Sequence, residues 1–310
     1  MRPSPKLIPA GKRLDVVRAE GWEEFAWLQH GFSSRAGGTS DVYGQGALNL
    51  GWTREDDAAH VIENRRRFVR GVTGAARRLV TVRQTHSGVV RVIEAGDGPL
   101  ETEEGKAVLR GDGVMTDVPG VLLGVQIADC VPVLVVDTRR RAVAAFHAGW
   151  RGTLKRIVER GVGTMRLRYG SQPKDLVAAI GPSIGACCYS VGEEVRFEFQ
   201  SQFSYASDLF SEVYSYDAVQ ERYPPTFLSQ YAPGHSNAVS QIHFDLWEAN
   251  RRQLLDAGLK AKSIQVIGEC TACTRRKGGG LKYFSHRGEH GLAGRMIAAV
   301  GVKEDGQRPR

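Results

Sequence analysis

Five short valine-rich runs, at residues 80–82, 89–93, 121–127, 131–136 and 142–146, constrain the fold of this chain more than any other feature. Each has the length and β-branched content of a strand, and together they predict a largely buried sheet. Helical spacing appears between and after them. Residues 56–71 begin with acidic side chains and keep Ala59, Ile62 and Phe68 on one stripe. Residues 153–169 place Leu154, Ile157, Val158, Met165 and Leu167 near helical spacing, and residues 244–258 end on a glycine. The pattern predicts a mixed α/β fold, with the arginines at 139–141 in a turn between two strands.

A chain of 310 residues can bury a large core without disulfides, as one large domain or two modest ones. No repeat of fixed period and no long polar linker divides it, so a single domain over residues 21–302 is expected, with a flexible N-terminal segment at 1–20 and a tail at 303–310. The exception is the stretch 199–240, which holds Tyr205, Tyr214, Tyr216, Tyr223 and Tyr231 together with Pro224-Pro225 and shows little periodicity. It reads as an insertion or lid on the main body.

A hydrophobic content of 42% with 25% charged residues excludes a disordered chain. The formal charge of +8 invites a nucleic-acid partner, but the basic clusters at 65–67, 139–141 and 275–277 have no interleaved aromatics for base stacking. They read as solvated surface, and no nucleic acid is expected as a partner. The longest apolar stretch, 121–136, is interrupted by Gln126, Asp129 and Pro132 and falls short of the ~20 residues of a membrane span. Residues 1–14 lack the apolar core of a signal peptide, and five cysteines, an odd number, do not form a secreted disulfide framework. A reducing compartment, the cytoplasm, is expected.

Three residues of metal-ligand type stand at the ends of predicted strands: His86, Cys130 and His147. Two imidazoles and a thiolate suit zinc, and three protein ligands leave a fourth position open for water or substrate. The same residues allow two other readings. Cys130 could be a nucleophile with His86 or His147 as its base, or the three could be hydrogen-bonded histidines and a buried thiol. Asp129 either orients a histidine through its second ring nitrogen or caps the turn before Pro132. Glycines near Arg35, Arg151 and Arg287 permit backbone amides and guanidinium groups to approach an anion. No glycine-rich segment matches a Walker loop or dinucleotide fingerprint, so nucleoside triphosphates and NAD are not indicated.

Several segments together resemble one known family. They are Ser33-Ser-Arg-Ala-Gly-Gly38, Leu48-Asn-Leu-Gly51, Glu63-Asn-Arg65, Gln84-Thr-His86, Asp112-Gly-Val-Met-Thr-Asp117, Ala128-Asp-Cys-Val-Pro-Val-Leu134, His147-Ala-Gly-Trp-Arg-Gly152, Ile180-Gly-Pro-Ser-Ile-Gly185, Tyr189-Ser-Val-Gly-Glu193 and Phe284-Ser-His-Arg287, with Gly294-Arg295. In this order they resemble the YfiH-type, or laccase-domain, proteins, known variously as polyphenol oxidases, zinc-dependent purine nucleoside phosphorylases and peptidoglycan editing factors. The resemblance implies a four-layer α/β/β/α fold with mixed sheets. It implies that His86, Cys130 and His147 are zinc ligands at the catalytic centre. It further implies phosphorolysis of adenosine, inosine and methylthioadenosine, with some adenosine deamination; a monomer or small homo-oligomer is expected. A purine nucleoside and phosphate are then the partners, with Arg35 and Arg151 as candidate anion contacts and Asn49 as a candidate contact to sugar or base.

Three alternatives accompany that expectation. A copper-dependent oxidase needs several copper centres and many histidines, whereas the chain has eight, of which His30, His60, His235 and His243 lack convergent spacing. A Cys-His hydrolase acting on peptidoglycan precursors and a non-catalytic module braced by zinc are the others. The chain departs from the family pattern at Ser87, which separates His86 from Gly88, and at His286, where an aromatic Tyr is common.

Overall fold

The computed structural model describes residues 14–214 and 240–304. Residues 1–13, 215–239 and 305–310, which include most of the expected N-terminal segment and tail and the centre of the tyrosine-rich stretch, lie outside the described residues.

The chain begins with β1 (Val16–Val17), β2 (Leu28–Ser33), β3 (Ala36–Ser40) and α1 (Ala58–Thr73). Next come β4 (Arg78–Thr81), β5 (Val90–Val92), β6 (Gly113–Thr116), β7 (Val121–Ile127), β8 (Val131–Asp137) and β9 (Ala142–Ala148). Helices α2 (Trp150–Leu154) and α3 (Ile157–Tyr169) precede β10 (Leu176–Ile180), β11 (Ser190–Val191) and α4 (Glu193–Gln200). The remainder is β12 (Phe210–Tyr214), β13 (Ser240–Phe244), α5 (Leu246–Asp256), β14 (Ile264–Val266) and β15 (Met296–Val302).

Two compact units result, one of residues 1–185 with 246–310 and one of residues 186–245. In the larger unit, a five-stranded sheet runs β1-β2-β15-β7-β4 and a six-stranded sheet runs β14-β10-β8-β9-β6-β5. Both are mixed: β4 pairs parallel with β7, β10 with β14 and β5 with β6, while the other neighbours are antiparallel. Phe32, Leu123, Val125 and Ala298 of the first sheet meet Val114, Leu134, Val143 and Ala179 of the second in one fully buried core. Burial of each such side chain of Val, Leu or Phe size stabilises the fold by ~1.5–3 kcal/mol. On the outer face of the first sheet, Phe68, Val69 and Val72 of α1 pack on Leu122, Ile297 and Ala299. Helix α3 lies on β9, and α5 on β10 and β14. The larger unit is therefore a four-layer α/β/β/α arrangement with mixed sheets.

The smaller unit has a three-stranded antiparallel sheet, β11-β13-β12, and the helix α4. Its aromatic centre is phenylalanine: Phe210 stacks on Phe244 at 4.7 Å, and Phe199 of α4 meets Phe244 edge-on. It extends upstream of the tyrosine-rich stretch because β11 supplies the sheet's third strand.

Local chemistry explains the element ends. The Asp57 carboxylate accepts the amide of Ala59 at the start of α1, and Gly74, at φ 73°, ends it. The helix expected over 153–169 is instead two helices, because Arg156 adopts φ 58° between α2 and α3. Asp137 accepts the amides of Arg139 and Arg140, which closes the β8–β9 turn where those arginines were expected. Among the described residues, no helix is long and apolar enough to cross a membrane.

Candidate metal centre and active site

Three strand ends of the larger unit build the site. After β4, the Gln84 side chain donates to Gln126 O and accepts from Gln126 N, both at 2.7 Å, so the loop is fastened to β7. Two residues on, His86 holds φ 55°, a left-handed conformation uncommon for a non-glycine residue. Asp112, fully buried before β6, stabilises it by accepting the consecutive amides of Thr85, His86 and Ser87 and the Ser87 hydroxyl. The β7–β8 turn passes through Asp129 at φ 91° and delivers Cys130. Asp129 accepts the Thr271 hydroxyl at 2.7 Å and the Arg287 amide at 2.6 Å, so its carboxylate anchors this turn and no histidine. His147, on β9 opposite Pro132, is buried, and its own amide donates to Asp112 O.

These three side chains converge. One donor atom each from His86, Cys130 and His147 lies within 4.8 Å of the others, with Cys130 Sγ 3.9 Å from His86 Nε2. The two imidazoles meet edge to face at 5.0 Å between ring centres. The Asp112 carboxylate accepts His147 Nδ1–H at 2.9 Å, which leaves Nε2 as the donor facing the centre. Sequence reading missed Asp112 as the orienting carboxylate, although it opens the Asp112-Gly-Val-Met-Thr-Asp117 segment.

The electrostatics follow from this packing. Burial pushes the Cys130 thiol up, but the charges and hydrogen bonds of His147 and His86 outweigh it and bring the thiol down to about 6. Burial pushes His147 down, but Cys130 and Asp112 overcome it and raise the imidazole to about 9. Burial also disfavours the Asp112 carboxylate, yet His147 and Ser87 hold it well below the usual carboxylate range. At neutral pH the ion-free cluster is thus a thiolate beside an imidazolium on a carboxylate.

The donor set fits a zinc ion. With Zn–N near ~2.0–2.1 Å and Zn–S near ~2.3 Å, a tetrahedral ion would space two nitrogens and a sulfur by roughly 3.3–3.6 Å, against 3.9 Å between Cys130 Sγ and His86 Nε2 and no more than 4.8 Å within the group. Gly149 leaves the room: a Cβ there would lie 2.8 Å from Cys130 Sγ and 3.3 Å from His86 Cδ2. His86, Cys130 and His147 would hold such an ion at the edge of a cavity.

That cavity has a volume of 720 Å³ and is lined by all three donors and by Arg83, Lys106, His286 and Arg295. The anion and sugar contacts expected from sequence do not line it. Arg35 pairs with Glu289 at 3.1 Å, donates to Tyr43 O and lies over the Phe284 ring. Asn49 is fully buried; it donates to Asp56 at 2.7 Å and accepts the Arg295 amide at 2.8 Å, so it fixes the backbone of a cavity residue. Arg151 stacks on Trp150 at 4.2 Å. Ser87 spends its amide and hydroxyl on Asp112, and His286 does face the cavity.

Residues 29–303 match the family model described as multi-copper polyphenol oxidoreductase laccase. The chain belongs to that laccase family. Among its similar relatives, the purine nucleoside phosphorylase YlmD of Geobacillus stearothermophilus is 33% identical over 293 residues, which cover 93% of this chain and 96% of that protein. The adenosine deaminase RL5, from an unknown prokaryotic organism, is 33% identical over 78% of this chain and 84% of its own. The crystal structure of the Bacillus licheniformis hypothetical protein YfiH superposes with a TM-score of 0.76 at 29% identity, covering 94% of this chain and 100% of that one. These two relatives are thus named for nucleoside chemistry, and the family itself for copper chemistry.

Proposed function

We propose that this laccase-family chain is a zinc-dependent purine nucleoside phosphorylase that cleaves adenosine, inosine and methylthioadenosine with phosphate, with adenosine deamination as a second activity. One observation carries the reading: a His–Cys–His donor set opens into a cavity that also presents Arg83, Lys106 and Arg295. His86, Cys130 and His147 would hold the zinc ion, which supplies Lewis acidity and a fixed positive charge when bound. The cavity's own cations meet the requirement of the co-substrate. Phosphate must be held against the ribose carbon while the bond to the base breaks and positive charge grows on the sugar, so Arg83, Lys106 and Arg295 replace Arg35 and Arg151 as the anion contacts. Asp112 keeps the His147 ring in one orientation throughout. His286 brings an imidazole to the cavity wall, where it can hydrogen-bond sugar or base.

The relatives named purine nucleoside phosphorylase and adenosine deaminase support the substrate class. The test is phosphate-dependent release of hypoxanthine from inosine by the purified protein, abolished in His86→Ala and Cys130→Ala variants that retain their circular dichroism. Turnover of a phenol only after copper is added, with no nucleoside cleavage, would overturn the proposal in favour of an oxidase.

A further inference from the structure

Two side chains of the catalytic-cavity wall serve neither the metal centre nor the anion contacts: Trp52 and Gln126, both half-buried. Gln126 is the penultimate residue of β7, and its backbone N–H and C=O are both taken by the Gln84 side chain. Its own side-chain amide has no hydrogen-bond partner among the described residues, so it presents one donating and one accepting end to the cavity. Gln126 Oε1 lies 3.0 Å from where a Cβ on Gly51 would stand, which brings this amide beside the residue that precedes Trp52.

Trp52 is held in one orientation. Its Nε1–H donates to Gly105 O at 3.1 Å, and its Cζ2 lies 3.2 Å from where a Cβ on Gly105 would stand. The Arg65 guanidinium lies over the ring at 5.2 Å. Trp52 borders both the catalytic cavity and a neighbouring recess of 280 Å³, whereas Arg65 borders only the recess. The guanidinium therefore backs the ring from the side away from the metal centre. Among the described residues, Trp52 is the only Phe, Tyr or Trp side chain lining the catalytic cavity, and a ring already fixed loses little freedom when a ligand stacks on it.

Resting on the reading that the chain acts on purine nucleosides, we infer that Trp52 and Gln126 form the subsite for the purine base. Trp52 stacks on the bicyclic ring, and Gln126 hydrogen-bonds N1 and the substituent at C6. An amide suits both base types among the proposed substrates. Adenine accepts at N1 and donates from its 6-amino group; hypoxanthine donates from N1 and accepts at its 6-oxo group. Gln126 meets the first pattern with Nε2 toward N1 and Oε1 toward the amino group, and it meets the second with the amide turned over. One side chain thus admits adenosine, methylthioadenosine and inosine alike, while a nucleoside with no substituent at C6 leaves one end of the amide unpaired.

Two measurements test the subsite. The first compares phosphorolysis of adenosine with that of purine riboside, which lacks the 6-amino group, in the wild type and in Gln126→Leu. Differences in leaving-group chemistry cancel between the two proteins. The wild type should favour adenosine about tenfold in kcat/KM, and Gln126→Leu should bring the two substrates within about twofold. The second is titration calorimetry with free adenine, which needs no turnover. Trp52→Ala should bind adenine about tenfold more weakly at unchanged zinc content, and Trp52→Phe should stay within about threefold of the wild type. Phenylalanine lacks the N–H that holds Gly105, so its rescue assigns the effect to the ring face. If the wild type cleaves neither adenosine nor inosine, the phosphorylase reading falls and takes the subsite with it. If it cleaves both, yet Gln126→Leu keeps the tenfold preference or Trp52→Ala binds adenine like the wild type, the subsite alone is refuted.

Discussion

Replacing Asp112 by Asn separates the orienting role of this carboxylate from its bulk. Asp112 Oδ1 accepts His147 Nδ1 at 2.9 Å and the His86 amide at 3.0 Å; Oδ2 accepts the Ser87 amide and hydroxyl, each at 2.6 Å. Asparagine keeps the volume but turns one oxygen into an NH2 donor. The cheaper orientation places that NH2 toward Ser87, whose hydroxyl can rotate to accept while its amide is left unpaired, at a cost of ~1–3 kcal/mol. The bond to His147 survives but loses its charge assistance, roughly half its strength. Zinc affinity should then fall about 10–100-fold, or ~1.4–2.7 kcal/mol. Competition against a fluorescent zinc chelator measures the affinity, and urea unfolding measures the stability. Ser87→Ala is the control, since it removes one bond to Oδ2 and leaves His147 untouched; it should change zinc affinity by no more than about threefold. If Asp112→Asn binds zinc like the wild type, or Ser87→Ala loses as much, then the carboxylate does not act through the His147 ring.

Two further outcomes concern pH. In zinc-free protein, alkylation of Cys130 by iodoacetamide should show a midpoint near pH 6, because its thiol is lowered to about 6 by His147 and His86; a midpoint near the ordinary thiol value refutes the thiolate–imidazolium pair. His30 is pushed down to about 4, chiefly by burial, and its Nε2 accepts the Ala19 amide. The unfolded chain binds this proton more readily, so stability is full above the unfolded value of ~6.5 and falls by up to about 3 kcal/mol as pH drops to ~4. Urea titrations across that window should show His30→Gln with a shallower pH slope than the wild type; an identical slope removes His30 as the cause.

Much of the larger unit was legible along the chain. The β7, β8 and β9 segments are valine runs whose composition suits a sheet buried on both faces, and α1 carries its own start and stop in Asp57 and Gly74. Other elements were silent. β15 reads Met296-Ile-Ala-Ala-Val-Gly-Val302, too small and mixed to stand out, yet it lies between β2 and β7 in the five-stranded sheet. Small residues suit that central position because the neighbouring backbone is close: a Cβ at Gly301 would lie 2.5 Å from Val121 O. The break between α2 and α3 was equally hidden, since arginine is an ordinary helix former and takes φ 58° only under tertiary constraint.

For the site, the sequence by itself singled out the three side chains that the fold brings within 4.8 Å of one another. His86, Cys130 and His147 each stand in a motif of the family, because the chemistry of imidazole and thiolate is a property of the residue. Tertiary structure alone decided everything that depends on direction. It placed Asp112 rather than Asp129 behind a histidine, and spent Arg35 on Glu289 and Asn49 on the Arg295 backbone. It brought Arg83, Lys106 and Arg295 to the cavity wall. A carboxylate or guanidinium reaches only a few ångströms, so its partner is set by which strand ends the two sheets bring side by side, and that pairing is long-range information that local pattern does not contain.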